Sequence, residues 1–115
     1  MHKFDHNNPV YQEMKQALEI LGDRWSVLIL MSIINKPLRF SEIQANVGGI
    51  NPRTLTKRLR MLEQSGLMCK KEYNEFPPRT EYEVTQKAIA LKKAIEELKK
   101  WAKEHCDNSS QNPKC

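Results

Sequence analysis

One stretch of the chain combines side chains that bind nucleic acid with the spacing of a helix. Its arginines, lysine and threonines are types that hydrogen-bond base edges and phosphates: Arg53, Thr54, Thr56, Lys57 and Arg60. At 100° per residue the basic side chains lie opposite Leu55, Leu59 and Leu62. Such a helix packs through its leucines and presents a polar edge that could enter a major groove. A solvated surface helix is the alternative interpretation.

The ends of this basic helix are encoded locally. Asn51 can accept hydrogen bonds from first-turn amides, and Pro52 suits the first helical position. Gly66 supplies the left-handed residue that ends many helices. Residues 51–66 are therefore predicted to form a short capped helix, and we include Asn51 among the expected DNA contacts.

The positive charge of the chain is concentrated around this helix. The 115 residues carry a formal net charge of +5. Residues 36–79 contain nine Lys/Arg and four Asp/Glu, so they hold the whole excess, and the rest contains ten of each sign. A localised positive patch attracts a polyanion, so double-stranded DNA is the expected partner. No membrane partner is expected, and the start of the chain lacks a signal-peptide core, which predicts a cytoplasmic location.

The residues that commonly bind metals or catalyse reactions form no recognisable group. Cys69, Cys106 and Cys115 are an odd number at no zinc-ligand spacing, so we expect reduced thiols. Cys69 lies in a short apolar segment, where a small core residue is expected rather than a reactive thiol. The histidines lack the partners of a four-ligand zinc site, and no nucleophile lies in a catalytic motif. No metal, no cofactor and no enzymatic activity are predicted.

Two helices are predicted in the first third of the chain. Apolar side chains recur at helical spacing up to residue 21, which predicts a helix over about residues 10–21. Asp23 then caps a second helix. The segment from Trp25 to Ile34 is apolar nearly all round, so it is expected to be the central buried helix, with Trp25 as a core anchor.

A third helix and a turn precede the basic helix. Ser41 and Gln44 have the spacing of a capping box, which predicts a short helix through about Val47. Residues 48–50 form the turn before the basic helix. A short helix, a tight turn and a helix with a polar outer edge make a helix-turn-helix, whose second helix enters the major groove.

A hairpin is predicted after the basic helix. Residues 67–73 and 80–84 resemble strands, and the second alternates apolar or threonine positions with glutamates. Pro77–Pro78 stiffens the tip and holds Arg79 there with little entropy left to lose on binding. Arg79 could therefore enter a minor groove or clamp a phosphate. An ordinary charge paired with a neighbouring glutamate is the alternative.

Five segments occur in a recognisable order: Leu21–Trp25, Arg39–Ile43, Asn51–Leu59, Leu62–Leu67 and Pro77–Tyr82. Together, over about residues 8–105, they resemble the HxlR-type winged helix-turn-helix transcription regulators, a MarR-like family. The resemblance implies a prokaryotic homodimer in which each basic helix reads a major groove and each hairpin wing reaches an adjacent minor groove. It points to the basic helix, to Arg79 on the wing, and to Arg39 and Lys71 as flanking phosphate contacts.

The chain departs from the family pattern at two positions. Many members that sense oxidants, aldehydes or quinones have a cysteine immediately before the first proline, where this chain reads Asn8-Pro9. Sensing by that thiol is therefore not expected here. The family often has glycine where this chain has Ala88, a change of little consequence because alanine is the better helix former.

The last predicted helix, from residue 86 to about residue 105, carries an apolar stripe bordered by lysines and glutamates. Packing of this stripe onto its own first helix is one interpretation. We expect instead a twofold interface built from the first and last helices: Tyr11, Met14, Leu18, Leu91, Ile95, Leu98 and Trp101. Twofold symmetry predicts a palindromic site with half-sites about 10 base pairs apart, or a multiple of that. An apolar pocket between these helices, lined by Tyr11, Trp25 or Trp101, could bind a small-molecule inducer.

The sequence thus predicts one mainly α-helical winged helix-turn-helix domain over residues 1–106, in the order α-α-α-α-β-β-α, followed by a flexible polar tail at 107–115. The expected function is sequence-specific, dimeric regulation of transcription. Two alternatives remain: a protein-contact module, and a nucleoid-type DNA binder without sequence preference. Binding experiments can distinguish both from a sequence-specific regulator.

Overall fold

The computed structural model describes residues 8–106 as a helical domain with one two-stranded sheet. The predicted tail, His2, His6 and Cys115 lie outside the described residues. The elements, in chain order, are α1 (Pro9–Leu21), α2 (Ser26–Ile33), α3 (Phe40–Val47), α4 (Pro52–Gln64), β1 (Met68–Tyr73), β2 (Arg79–Val84), α5 (Gln86–Ile89) and α6 (Lys92–His105). This order confirms the predicted winged helix-turn-helix, with one difference at its last helix.

The core lies between α2, α3, α4 and the base of the hairpin. α2 contributes three of its side chains, and α4 contributes the leucines of its inner face. The largest fully buried side chains include Ile29, Leu30, Ile33, Ile43, Leu55 and Leu62. Leu28, by contrast, is 42% exposed, so α2 is central but not buried all round as the sequence predicted. This exposed side of α2 borders a surface cavity that it shares with the end of α3.

The cap of α2 is a carboxylate, as predicted. Asp23 Oδ1 accepts hydrogen bonds from the amide of Trp25 at 2.7 Å and that of Ser26 at 2.9 Å. These bonds satisfy two of the amides that a helix start leaves without partners. Trp25 packs, half-buried, against the core, in agreement with its predicted role as an anchor.

The start of α3 differs from the prediction. The helix begins at Phe40, and the amide of Arg39 donates to Glu42 Oε1 at 2.8 Å. The capping pair is therefore Arg39 and Glu42, and the predicted pair of Ser41 and Gln44 is wrong. The physical reason is tertiary: the residue before Arg39 pairs with the hairpin, and this pairing sets where the chain can turn into the helix.

That pairing joins the helix-turn-helix to the wing. Leu38 and Tyr82 exchange two backbone hydrogen bonds, of 3.0 and 2.8 Å, so Leu38 extends the hairpin by one bridge. In the turn after α3, Gln44 Nε2 donates to the carbonyl of Ile50 at 3.2 Å. The two glycines at 48–49 both have positive φ, 72° and 76°, a conformation that a side chain would strain. The turn therefore orients α4 against α3.

The predicted last helix is in fact two helices. α5 ends at Ile89, and residues 90–91 form a tighter turn in which the amide of Leu91 donates to the carbonyl of Ala88 at 2.9 Å. α6 begins at Lys92. Because the apolar spacing continues through this turn, periodicity alone predicted one uninterrupted helix.

Candidate nucleic-acid interface

α4 is held by its inner leucines and by a cap at each end. Leu55, Leu59 and Leu62 are at most 2% exposed. Asn51 Oδ1 accepts from the amide of Thr54 at 2.8 Å, so the predicted cap is confirmed. Burial of three leucines would contribute roughly 1.5–3 kcal/mol each relative to exposure, which makes this face the anchor of the helix.

The opposite edge of α4 faces solvent. Arg53, Thr56, Lys57 and Arg60 are exposed, and Thr54 is half-buried under the cap. Within residues 8–106, the structure records no ion pair for the arginine or lysine side chains of this edge. Three cations along one face are therefore available to a polyanionic ligand without first losing an internal partner.

Arg58 lies on the same helix and has a different role. Its Nη1 is 3.3 Å from Asp23 Oδ2, and both side chains are about four-fifths buried. The carboxylate also accepts from the hydroxyl of Ser26, which is completely buried. Burial opposes ionisation of Asp23, but the hydrogen bonds from Ser26 and Trp25 and the charge of Arg58 outweigh it, so the pKa of Asp23 is lowered. Arg58 thus ties the middle of α4 to the start of α2.

The C-terminal end of α4 is held by the segment that follows the hairpin. Gly66 has φ +78°, which confirms it as the left-handed residue after the helix. Lys87 Nζ donates to the carbonyl of Ser65 at 2.7 Å, and Thr85 Oγ1 donates to that of Gly66 at 2.6 Å. Sequence reasoning missed this contact between α5 and α4, because residues about twenty positions apart carry no local signal.

The predicted wing residues are engaged within the hairpin. Arg79 Nη2 lies 3.3 Å from Glu75 Oε1, and its Nε lies 3.9 Å from Glu81 Oε2. The guanidinium carbon is 4.1 Å from the centre of the Tyr73 ring, a cation–π contact. Arg79 therefore lies in the hairpin, where its charge is paired with neighbouring glutamates. This pairing is the alternative that the sequence left open.

Lys71 and Arg39 lie on the two sides of the wing. Lys71 Nζ is 3.0 Å from Glu83 Oε1, and the hydrogen bond to that carboxylate raises the pKa of the lysine. Arg39 is exposed and lines a shallow cavity together with the wing tip. The start of α3 and the wing tip therefore border the same cavity.

Cys69, predicted to be a small core residue, lies at the edge of the core and not within it. It is half-buried in β1, with Sγ 3.7 Å from Glu83 Oε1. Burial, followed by the charge of Glu83, raises the pKa of the thiol, which disfavours the nucleophilic thiolate. Cys106 is exposed at the end of α6. No cluster of metal-ligating side chains occurs among residues 8–106, and none of the helices described is long and apolar enough to cross a membrane.

Large apolar side chains are exposed on α1 and α6, the predicted interface. Five of the predicted interface residues have exposed fractions between 42% and 59%, and they are Tyr11, Met14, Leu18, Leu98 and Trp101. Val10 on α1, which was not among the predicted residues, is 77% exposed. Leu91 is half-buried, and Ile95, at 8% exposed, packs against its own chain rather than standing free for a second subunit.

An apolar groove lies between α1, α2 and α6 of the single chain. It is formed by Met14, Leu18, Val27, Leu91 and Leu98 among others, and by none of Tyr11, Trp25 and Trp101. Trp25 packs against the core of its own chain. The pocket predicted between the helices of a dimer stays a prediction.

A leucine-anchored helix behind a tight turn, with a two-stranded wing beside it, defines a winged helix-turn-helix regulator of transcription that binds DNA. The model of the HxlR-like helix-turn-helix family matches residues 20–110, and the chain belongs to that family. The resemblance found in the sequence is therefore confirmed. The fold and the relatives are those of transcription regulators rather than of enzymes.

The similarity extends over most of the chain. The HTH-type transcriptional regulator YvaP of Bacillus subtilis is 39% identical over 95 residues, which cover 83% of this chain and 88% of YvaP. The HTH-type transcriptional regulator YodB of the same organism is 32% identical over 100 residues, 87% of this chain and 89% of YodB. The solved structure of a MarR-family transcriptional regulator from Porphyromonas gingivalis W83 matches with a TM-score of 0.77 at 30% identity, over 90% of this chain and 98% of that one.

Proposed function

We propose that this protein is a homodimer that regulates transcription in the cytoplasm by binding a palindromic operator in a sequence-specific manner. The observation that carries the proposal is the outer edge of α4. It presents exposed cations for which residues 8–106 supply no ion-pair partner, on a helix whose position is set by buried leucines, two caps and the tie to α2. A rigidly held polar edge suits reading of base edges, because base readout depends on precise placement of donors.

The proposed contacts divide by position. Side chains of the outer edge of α4 reach base edges in the major groove, with Arg53 and Arg60 as the strongest candidates for guanine. Residues on either side bind phosphates and set the orientation on the duplex. The complete set of proposed DNA contacts is Arg39, Asn51, Arg53, Thr54, Thr56, Lys57, Arg60, Lys71 and Arg79.

The proposed dimer rests on the exposed apolar faces of α1 and α6. A monomer that left five large apolar side chains around half exposed on two neighbouring helices would present an unusually apolar surface. A twofold axis through these helices buries both faces and places two copies of α4 on one side of the dimer, as a palindrome requires. A small apolar inducer seated in the adjoining groove would shift the spacing of the two α4 helices and so alter affinity.

Selection from sheared genomic DNA tests the proposal. The wild-type protein, at about 0.15 M salt, is compared with Arg53→Ala/Arg60→Ala and with Lys93→Ala/Lys100→Ala. The second variant removes the same charge from exposed positions on α6 that are neither proposed DNA contacts nor among the apolar residues of the proposed dimer interface. We expect an enriched palindrome with wild type and with the α6 variant, and its loss with the α4 variant.

The other outcomes identify the alternatives. Bound fragments without a shared motif would indicate a nucleoid-type binder, and no bound fragments would indicate a protein-contact module. On the selected palindrome, replacement of Arg60 by alanine should cost about 1–3 kcal/mol and relax specificity at one base pair. An equal loss on all sequences would contradict base readout.

A further inference from the structure

The tip of the wing carries one side chain that has no structural role within its own chain. Phe76 is 101% exposed, more than any other large apolar residue among those described. The other exposed large apolar residues all lie on helices, chiefly on α1 and α6, where the proposed dimer interface accounts for most of them. The ring of Phe76 points into solvent and does not stabilise the hairpin.

The charges of the wing tip cancel one another. Glu75 and Arg79 are the only charged residues between residues 74 and 79, and they pair with each other at 3.3 Å. Arg79 is further held by Glu81 and by the ring of Tyr73. The tip is therefore neutral, and its cation is already paired, so it has little electrostatic attraction for phosphates. Contact between the tip and a partner would be made mainly by Phe76 and the two prolines.

The shape and stiffness of the tip suit insertion into a groove. Pro77–Pro78 restricts the backbone next to Phe76, so little conformational entropy remains to be lost when the ring is held by a partner. The pairing of Arg79 with Glu75 braces the loop from inside. Phenylalanine and proline are among the apolar side chains that proteins insert as wedges from the minor groove, where they partly unstack a base step and bend the duplex.

The wing is also placed beside the proposed major-groove surface. The bridge between Leu38 and Tyr82 fixes the hairpin to the start of α3, and Arg39 shares a shallow cavity with the wing tip. In the proposed complex, a duplex held by α4 and Arg39 would extend toward the tip, where the next groove that it presents is a minor groove.

We infer that Phe76 is the wedge of the wing. Its ring packs into the minor groove beside each half-site and favours base steps that are easily unstacked. Arg79 acts as an internal brace and not as the principal contact. This inference rests on the proposed operator binding and deepens it. Part of the specificity would then come from base pairs that α4 does not reach, because the energy needed to deform them depends on their sequence.

The test compares four proteins on the selected operator: wild type, Phe76→Ala, Phe76→Leu and Asn74→Ala. Asn74 is an exposed residue of the same loop and serves as the matched control. Dissociation constants are measured across a series of salt concentrations, and hydroxyl-radical footprints record protection of the minor groove. Phe76→Ala should bind about 10- to 100-fold more weakly, as expected for the loss of one buried phenyl contact.

Four further readouts separate a wedge from other causes. The slope of affinity against salt should be unchanged in Phe76→Ala, because no charge is removed. Minor-groove protection beside each half-site should disappear while protection at the half-sites persists, and Phe76→Leu should retain part of the affinity. The temperature of unfolding should equal that of wild type, because the ring of Phe76 is fully exposed among the residues that the structure describes.

Two results would overturn the inference and leave the proposed function standing: a Phe76→Ala protein that binds the operator like wild type, or a wild-type footprint without protection beside the half-sites. A change of oligomeric state in Phe76→Ala, with DNA affinity per dimer intact, would assign the ring to contact between copies of the chain and would equally overturn it. A wild-type protein that binds no DNA would refute both proposals.

Discussion

Replacement of Asp23 by alanine should destabilise the protein by about 3 kcal/mol. The change removes the cap of α2, which is worth roughly 1 kcal/mol. It also leaves the completely buried hydroxyl of Ser26 without its acceptor, at a cost of about 1–3 kcal/mol. Loss of the 3.3 Å ion pair with Arg58 adds at most about 1 kcal/mol, because both side chains retain some exposure to solvent.

Thermal or urea unfolding of a short mutant series measures this cost. The variants are Asp23→Ala, Ser26→Ala and the double variant. Asp23→Ala should lower the unfolding temperature by roughly 10–15 °C for a domain of this size. The double variant should be no less stable than Asp23→Ala, because it removes the buried hydroxyl together with its acceptor. Strictly additive losses would show that the hydroxyl finds another partner, and the reasoning would then be refuted.

The same carboxylate predicts a pH dependence. Since the folded-state pKa of Asp23 lies below 3.8, its contribution to stability is present above about pH 4 and is lost as the pH falls through the folded-state value. The difference in stability between wild type and Asp23→Asn should therefore be constant near neutral pH and shrink in acid. A difference that persists undiminished to pH 2 would contradict a charged cap.

Three further predictions concern α4, the proposed dimer and the thiols. Asn51→Ala should cost about 1 kcal/mol of unfolding free energy, whereas Asn51→Asp should cost little; equal losses would show that the cap is unimportant. Leu98→Glu, at an exposed position on α6, should convert a dimer to a folded monomer in analytical ultracentrifugation; an unchanged mass would place the interface elsewhere. Cys69 should alkylate more slowly than Cys106 at pH 8, because burial and Glu83 raise its pKa; equal rates would contradict that environment.

The sequence predicted best those features whose signals lie within a few residues. The basic helix is an example: Asn51, Pro52 and Gly66 mark its ends, and both caps occur as predicted. The hairpin was similarly clear, because alternating side chains and two prolines mark its strands and its tip. These features could be predicted because helix caps and strand alternation depend on residues that are close together in the sequence.

Features that depend on distant contacts were predicted less well. The start of α3 was displaced by the pairing of Leu38 with Tyr82, and the turn at residues 90–91 interrupts an apparently continuous helix. The groove between α1, α2 and α6 was likewise not predicted, because periodicity identifies which residues are apolar but not which helices pack around them.

By itself, the sequence determined the class of the fold, its family and the polar edge of α4 that is proposed to meet DNA. The tertiary structure alone decided which cations are free. Arg58 is paired with a carboxylate 35 positions earlier, and Arg79 is paired within the hairpin. For the cations on the outer edge of α4, by contrast, the described part of the chain supplies no ion-pair partner. The reason is physical: a side chain's type sets what it can bind, but its availability depends on neighbours that only the folded chain brings within reach.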